Sequence, residues 1–176
     1  MATDPPPRID LPATVDLDPE LIQDLPRSDN GEIPNVFKGM VAHPWLFRKW
    51  APLASHLLNR STLDARDREL AILCTAGFED SEYELHHHRE IGAAVGLRPD
   101  EVEAAIAGDP TPFSGTERAV VTATLELARE GDLADETWDD LTRHLRQEQI
   151  HDLILTVANY RGIALFIRTL RIPTDG

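Results

Sequence analysis

The chain is poor in sulfur, with one cysteine, Cys74, and two methionines among 176 residues. Disulfide chemistry needs two neighbouring sulfurs, so an intramolecular bridge and a dithiol redox reaction are both excluded. Basic residues are scarce as well, 17 Lys and Arg against 31 Asp and Glu, giving a formal net charge of -14. Nucleic acid and anionic membranes are met through a basic footprint. Neither is expected as a partner, and an anionic ligand must be held by individually placed arginines. Long apolar runs are missing: no stretch reaches the roughly 18 apolar residues of a membrane span, and Met1 to Pro7 has no signal-peptide pattern. With a lone cysteine, the cytoplasm is the expected compartment. Strand-like alternation and internal repeats are absent too, which leaves an all-α fold.

What remains is an ordinary globular composition, 41% hydrophobic and 27% charged, in a chain long enough for one domain with a substantial core. Residues 1–30 are rich in proline and aspartate and predict an extended or poorly ordered arm, with a brief helical turn at Pro19 to Leu25 and a turn cluster at Ser28 to Gly31. Residues 31–173 form the helical domain. Ile33 to Val41 and Trp45 to Asn59 read as helices, the second kinked at Pro52, with Phe37, Trp45, Phe47 and Trp50 as core. A short helix runs from Arg98 to Ala107, and a helix capped by Ser114 follows and ends at Gly131. Asp135 to Leu145 is amphipathic through Trp138, Leu141 and Leu145. Gln147 to Leu170 places Ile150, Leu153, Ile154, Val157, Ala164 and Leu165 in the core.

The chemistry concentrates between Arg66 and Gly96. Asp64 to Phe78 is apolar nearly all round, which predicts a buried helix capped by Asp64 and stopped after Gly77. Glu69 falls at the edge of the core and needs a histidine or arginine partner, because an unpaired buried carboxylate is costly. On the next helix, from Ser81, the stripe Leu85, His88, Gly92 and Val95 turns His88 inward, with His86 pointing away and His87 between. Ser81 with Glu84 spells a capping box, the plain reading of Glu84. Glu84-Leu-His-His87 also spells E-x-x-H, but iron-binding bundles need two such motifs, so no metal is expected. His88 reads equally as a catalytic group or as a core histidine bonded to Glu69 or a backbone carbonyl. Arg161 and Tyr160, in the last helix, need partners in a pocket, a salt bridge or a subunit contact.

RELAIL (Arg68 to Leu73), YELHHH (Tyr83 to His88), IPNVFKGMVAHP (Ile33 to Pro44) and VANYRGIALFIRTLRIP (Val157 to Pro173) together resemble the carboxymuconolactone decarboxylase family, which includes the alkylhydroperoxidase D-like proteins. The resemblance implies the helical bundle of that family and a homo-oligomer, a trimer or hexamer with a dimer also open. In the redox branch a Glu, a Cys-x-x-Cys pair and a His relay protons. By position the Glu is Glu69 and the His is His88, while the cysteine positions hold Ser81 and Glu84. The chain therefore resembles the non-redox branch, a decarboxylase or lyase without a cofactor, acting on a small carboxylate or lactone. Glu69, His88 and Glu84 are the implied catalytic residues, with Tyr83, His87, Tyr160 and Arg161 around the substrate. A peroxidase using Cys74 alone and a non-catalytic oligomeric binding protein are the alternatives.

Overall fold

A computed structural model describes residues 6–28 and 30–175. The first five residues of the arm and Asp29 of the turn cluster lie outside the described residues. The elements are α1 (Pro19–Ile22), α2 (Asn35–Val41), α3 (Pro44–Asn59), α4 (Ala65–Phe78), α5 (Glu82–Ala94), α6 (Pro99–Ala107), α7 (Gly115–Glu130), α8 (Asp135–His144) and α9 (Gln147–Leu170). No strand occurs among the described residues.

Helix α4 is the axis of the bundle, packed by α5, α6, α7 and α9. A helix apolar on every face can only be satisfied in the centre, and Leu70, Ala71, Ile72 and Leu73 are all fully buried. Each large side chain removed from water in this way contributes roughly 1.5–3 kcal/mol. One face of α4 joins Val120, Leu141 and Leu153 from α7, α8 and α9. A second joins Leu85, Val102 and Phe113 on the side of α5 and α6. A third, through Ile72, meets Tyr83, Tyr160, Ile163 and Ile167, with Ile9 and Leu11 of the arm laid against it. Helix α9 is long enough by length and hydropathy to cross a bilayer, yet it carries Leu153, Val157 and Ala164 into this core.

Several local expectations are corrected. Helix α4 ends at Phe78 as expected, but the role of Gly77 is a close approach: a Cβ there would stand 2.1 Å from the Ile106 carbonyl oxygen of α6. Asp64 and Ser114 precede their helices without a side-chain capping bond. Leu165 is 56% exposed and Trp45 77%, because each sits on the outer face of its helix; Trp138 is also largely exposed. Phe47 is in the core and Trp50 packs at its edge, its indole N–H donating to Asn159 at 2.9 Å.

Candidate active site

Helix α5 folds back along α4 through a three-residue turn in which Asp80 takes the left-handed conformation at φ 53°. The Ser81 amide donates to the Ala76 carbonyl at 3.0 Å. That bond decides the fate of Glu84. A capping box needs the Ser81 N–H for the glutamate, and α4 has already taken it; the Ser81 hydroxyl makes no cap bond either, and Glu84 is buried. The expected capping box is therefore not formed.

Inward, Glu84 meets His88. The His88 ring lies between two carboxylates, with Nδ1 2.7 Å from Glu69 Oε2 and Nε2 3.6 Å from Glu84 Oε2. The first is a hydrogen bond and the second is too long to be one. All three side chains are withdrawn from solvent: Glu69 is 0%, His88 5% and Glu84 6% exposed. Glu69 thus lies within the core and not at its edge. Its second oxygen accepts from Arg68 Nε at 3.2 Å, so both partner types expected for it are present. The Tyr160 ring stands edge-on to His88, centroids 5.1 Å apart at 85°.

Burial pushes the Glu84 carboxyl above the usual carboxylate range, and the neighbouring His88 offsets this only in part. Burial also pushes the Tyr160 phenol well above its ordinary value, with the charges of Glu84 and Glu69 adding to the effect. Cys74 sits apart among apolar side chains, its thiol pushed up to about 12 by burial.

The model of the carboxymuconolactone decarboxylase family matches residues 44–130, which contain α3 to α7 and every member of the Glu69, Glu84 and His88 group. This segment belongs to the carboxymuconolactone decarboxylase family. No curated protein matches the sequence. Solved structures share the fold at low identity. An uncharacterized peroxidase-related protein from Ralstonia eutropha JMP134, described as an alkylhydroperoxidase AhpD core, aligns with a TM-score of 0.84 at 17% identity, covering 98% of this chain and 94% of that one. A peroxidase-related protein from Silicibacter sp. TM1040 aligns at 0.77 and 16% identity, covering 99% and 95%. A variant of the debrominase Bmp8, in complex with 2,3,4-tribromopyrrole, aligns at 0.71 and 15% identity, covering 82% and 78%.

Within this carboxymuconolactone decarboxylase fold the remaining candidates divide. Tyr83 and His87 stand one turn apart on α5 with ring centroids 5.0 Å apart. The Tyr83 hydroxyl accepts from the Val36 amide at 3.1 Å and donates to the Asp175 carboxylate, and His87 Nε2 lies 2.9 Å from the same Asp175 oxygen. Arg161 is not brought to His88: its Nε donates to Glu79 at 2.9 Å and its guanidinium covers the Phe78 ring. It takes the salt-bridge option, because Glu79 caps the C-terminal end of α4 directly across from it. Arg89 pairs with Glu103 at the surface. Among the described residues no group of three or more His, Cys, Asp or Glu is arranged to hold a metal ion.

Two participants escaped the sequence reading. Arg68 was visible as the neighbour of Glu69 in RELAIL, whereas Asp175 follows the last helix and gives no periodic signal. A cleft of about 360 Å³ is lined by Tyr83, Ala164, Ile167, Ile172 and Thr174, among others; Glu69, Glu84 and His88 do not line it.

Proposed function

We propose that the protein is a cofactor-independent decarboxylase, or a related lyase, acting on a small carboxylated ring or lactone with His88 as its proton donor. The observation that carries the reading is an imidazole set between two buried carboxylates, one bonded to it and the other free of any capping duty. When a carboxylate leaves as carbon dioxide, the carbon–carbon bond breaks and its electron pair passes into an adjacent carbonyl as an enolate. A proton must then reach that carbon, and no oxidant or reductant is consumed. Glu69 fixes the ring through Nδ1, which leaves Nε2, on the Glu84 side, to act as general acid. Glu84, whose carboxyl burial raises above the usual range, is the group placed to pass a proton to Nε2. Tyr83, His87 and Tyr160 shape the approach, and a substrate must displace part of this wall because His88 is 5% exposed.

The thiol alternative has the weaker support. A peroxidatic cysteine works as a thiolate within reach of solvent, whereas Cys74 is 1% exposed and its thiol is raised by burial. Assembly into a homo-oligomer is part of the same proposal. On α9, Leu155, Ala158, Gly162 and Leu165 form one exposed stripe at helical spacing, with Leu155 46% and Leu165 56% exposed. Sedimentation of Leu165→Glu should show a smaller species than the wild type; equal masses would count against this face as the contact.

The direct test is incubation with carboxymuconolactone while following carbon dioxide release, with His88→Ala as control. Release by the wild type alone supports the assignment. Release by neither retires this substrate and favours a binding role, in which the Glu69–His88 pair only satisfies itself.

A further inference from the structure

Beside the His88 group, the structure holds a carboxylate among a phenol, an imidazole and a backbone amide. Asp175 Oδ2 receives the Tyr83 hydroxyl and His87 Nε2, the latter at 2.9 Å, and Oδ1 accepts the Asn35 backbone N–H at 2.8 Å. The Tyr83 donor is aimed and not incidental. Its oxygen already accepts the Val36 amide at 3.1 Å, so its own proton is left for the carboxylate. Tyr83 is 3% exposed, which shields its own two bonds, while His87 and Asp175 remain partly open to solvent. The approach of an acidic side chain here runs against a formal net charge of -14, so the donors must do the holding. Tyr83 also lines the cleft of about 360 Å³, which has one wall of Ala164, Ile167, Ile172 and Pro173 and charged residues of both signs, Glu79, Asp80, Glu82, Arg168 and Arg171, along the rest. An apolar body and a carboxylate anchor thus share one residue.

We infer that Tyr83, His87 and the Asn35 amide form a binding site for a small organic carboxylate, that the cleft beside Tyr83 receives the ligand's apolar part, and that Asp175 fills the anchor from within the chain until a ligand displaces it. As the anchor for a substrate of the His88 reaction, the site rests on the decarboxylase reading; as a carboxylate site, it stands on the geometry alone. The start of the segment Arg171–Asp175 is fastened, with the Ile172 amide donating to the Ile167 carbonyl at 3.0 Å and its side chain packed in the Tyr83 and Tyr160 cluster, while beyond it the Asn35 side chain donates to the Pro173 carbonyl at 3.2 Å. A tethered carboxylate competes at an effective concentration in the millimolar range, so it masks weak ligands without closing the site to strong ones.

Benzoate is a suitable probe, with benzamide as its neutral counterpart, followed through the His87 ring signals by NMR and through calorimetry. Asp175→Ala should bind benzoate at least about tenfold more tightly than the wild type and should not gain affinity for benzamide. Tyr83→Phe added to Asp175→Ala should remove most of that gain. Equal benzoate affinity in wild type and Asp175→Ala, or an equal gain for benzamide, would overturn the proposal, and that comparison does not depend on the Tyr83 variant folding. The readout is binding and not turnover. Benzoate binding without carbon dioxide release from carboxymuconolactone would retire that substrate and leave the anchor standing, and release without a gain in Asp175→Ala would sink the masked anchor alone.

Discussion

Asp152 on α9 and Glu84 on α5 are both acids beside an imidazole, and they are almost equally buried, at 7% and 6% exposed. Asp152 receives the Thr62 amide at 2.6 Å, the Thr62 hydroxyl at 2.8 Å, the Ser61 hydroxyl at 3.2 Å and His56 at 3.1 Å. Burial pushes its carboxyl up, but those donors together bring it below the usual range. Glu84 has only His88 at 3.6 Å, and burial wins. Two acids of similar exposure thus differ in direction because Asp152 has four donors, a half-exposed imidazole among them, whereas Glu84 lies deeper and has no donor within hydrogen-bond reach. Asp152 is a staple joining α9 to the loop after α3, whereas Glu84 is a donor-poor carboxyl that burial raises, the property the proposed proton transfer would use.

The sharpest way to break this contrast is to neutralise the two imidazoles. His88→Gln should lower turnover by about 100-fold or more, the usual range for a lost general acid. His56→Gln should leave turnover within about twofold, since that histidine is half-exposed and serves only the staple. Comparable losses in both variants, measured as initial rates of carbon dioxide release, would mean that the buried pair has no special role.

Stability should reverse the ranking. Asp152→Ala strands the Thr62 amide and two hydroxyls and should cost about 3 kcal/mol in urea unfolding at pH 7. The lowered carboxyl of Asp152 contributes stability that is present above its unfolded value and lost as pH falls through the folded one, so the deficit should shrink in acid. Glu84→Gln should move the other way. A raised carboxyl destabilises the fold as pH rises, so the neutral amide should raise the urea midpoint at pH 7. A lower midpoint for Glu84→Gln would remove the distinction between staple and reservoir.

The helices and the inward turn of His88 were legible because both follow from the 3.6-residue period, which burial enforces. Helix α9 appears with the expected bounds, Gln147–Leu170. The pairing of His88 with Glu69 was legible for the same reason, as a buried carboxylate requires a donor. The state of Glu84 was not, because the Ser81 amide is claimed by Ala76 through turn geometry that a S-x-x-E pattern does not contain. Leu165 shows the limit on the apolar side: period assigns a residue to a stripe, but α9 has apolar residues on more than one stripe and only packing selects the buried one. Asp175 lies beyond any periodic segment, and its partners, Asn35, Tyr83 and His87, are distant in sequence.

Asp67 offers the finest test, since it repeats the Glu84 situation away from any imidazole. It is 5% exposed at the first turn of α4, and its carboxyl is raised to about 6, chiefly by burial and then by the charges of Asp64 and Glu117. Arg66 pulls the other way but is committed to Glu117 at 2.8 Å and Glu101 at 3.2 Å. Between about pH 4 and about pH 6 the folded chain keeps a proton that the unfolded chain has released, so stability falls across that window and the loss is complete above it. Asp67→Asn should therefore gain about 1–2 kcal/mol at pH 7.5, under a ceiling of about 3 kcal/mol set by the shift, and nothing at about pH 4. Equal urea midpoints for variant and wild type at both pH values would show that Asp67 has donors of its own. The contrast between donor-rich and donor-poor acids would then rest on Asp152 and Glu84 alone.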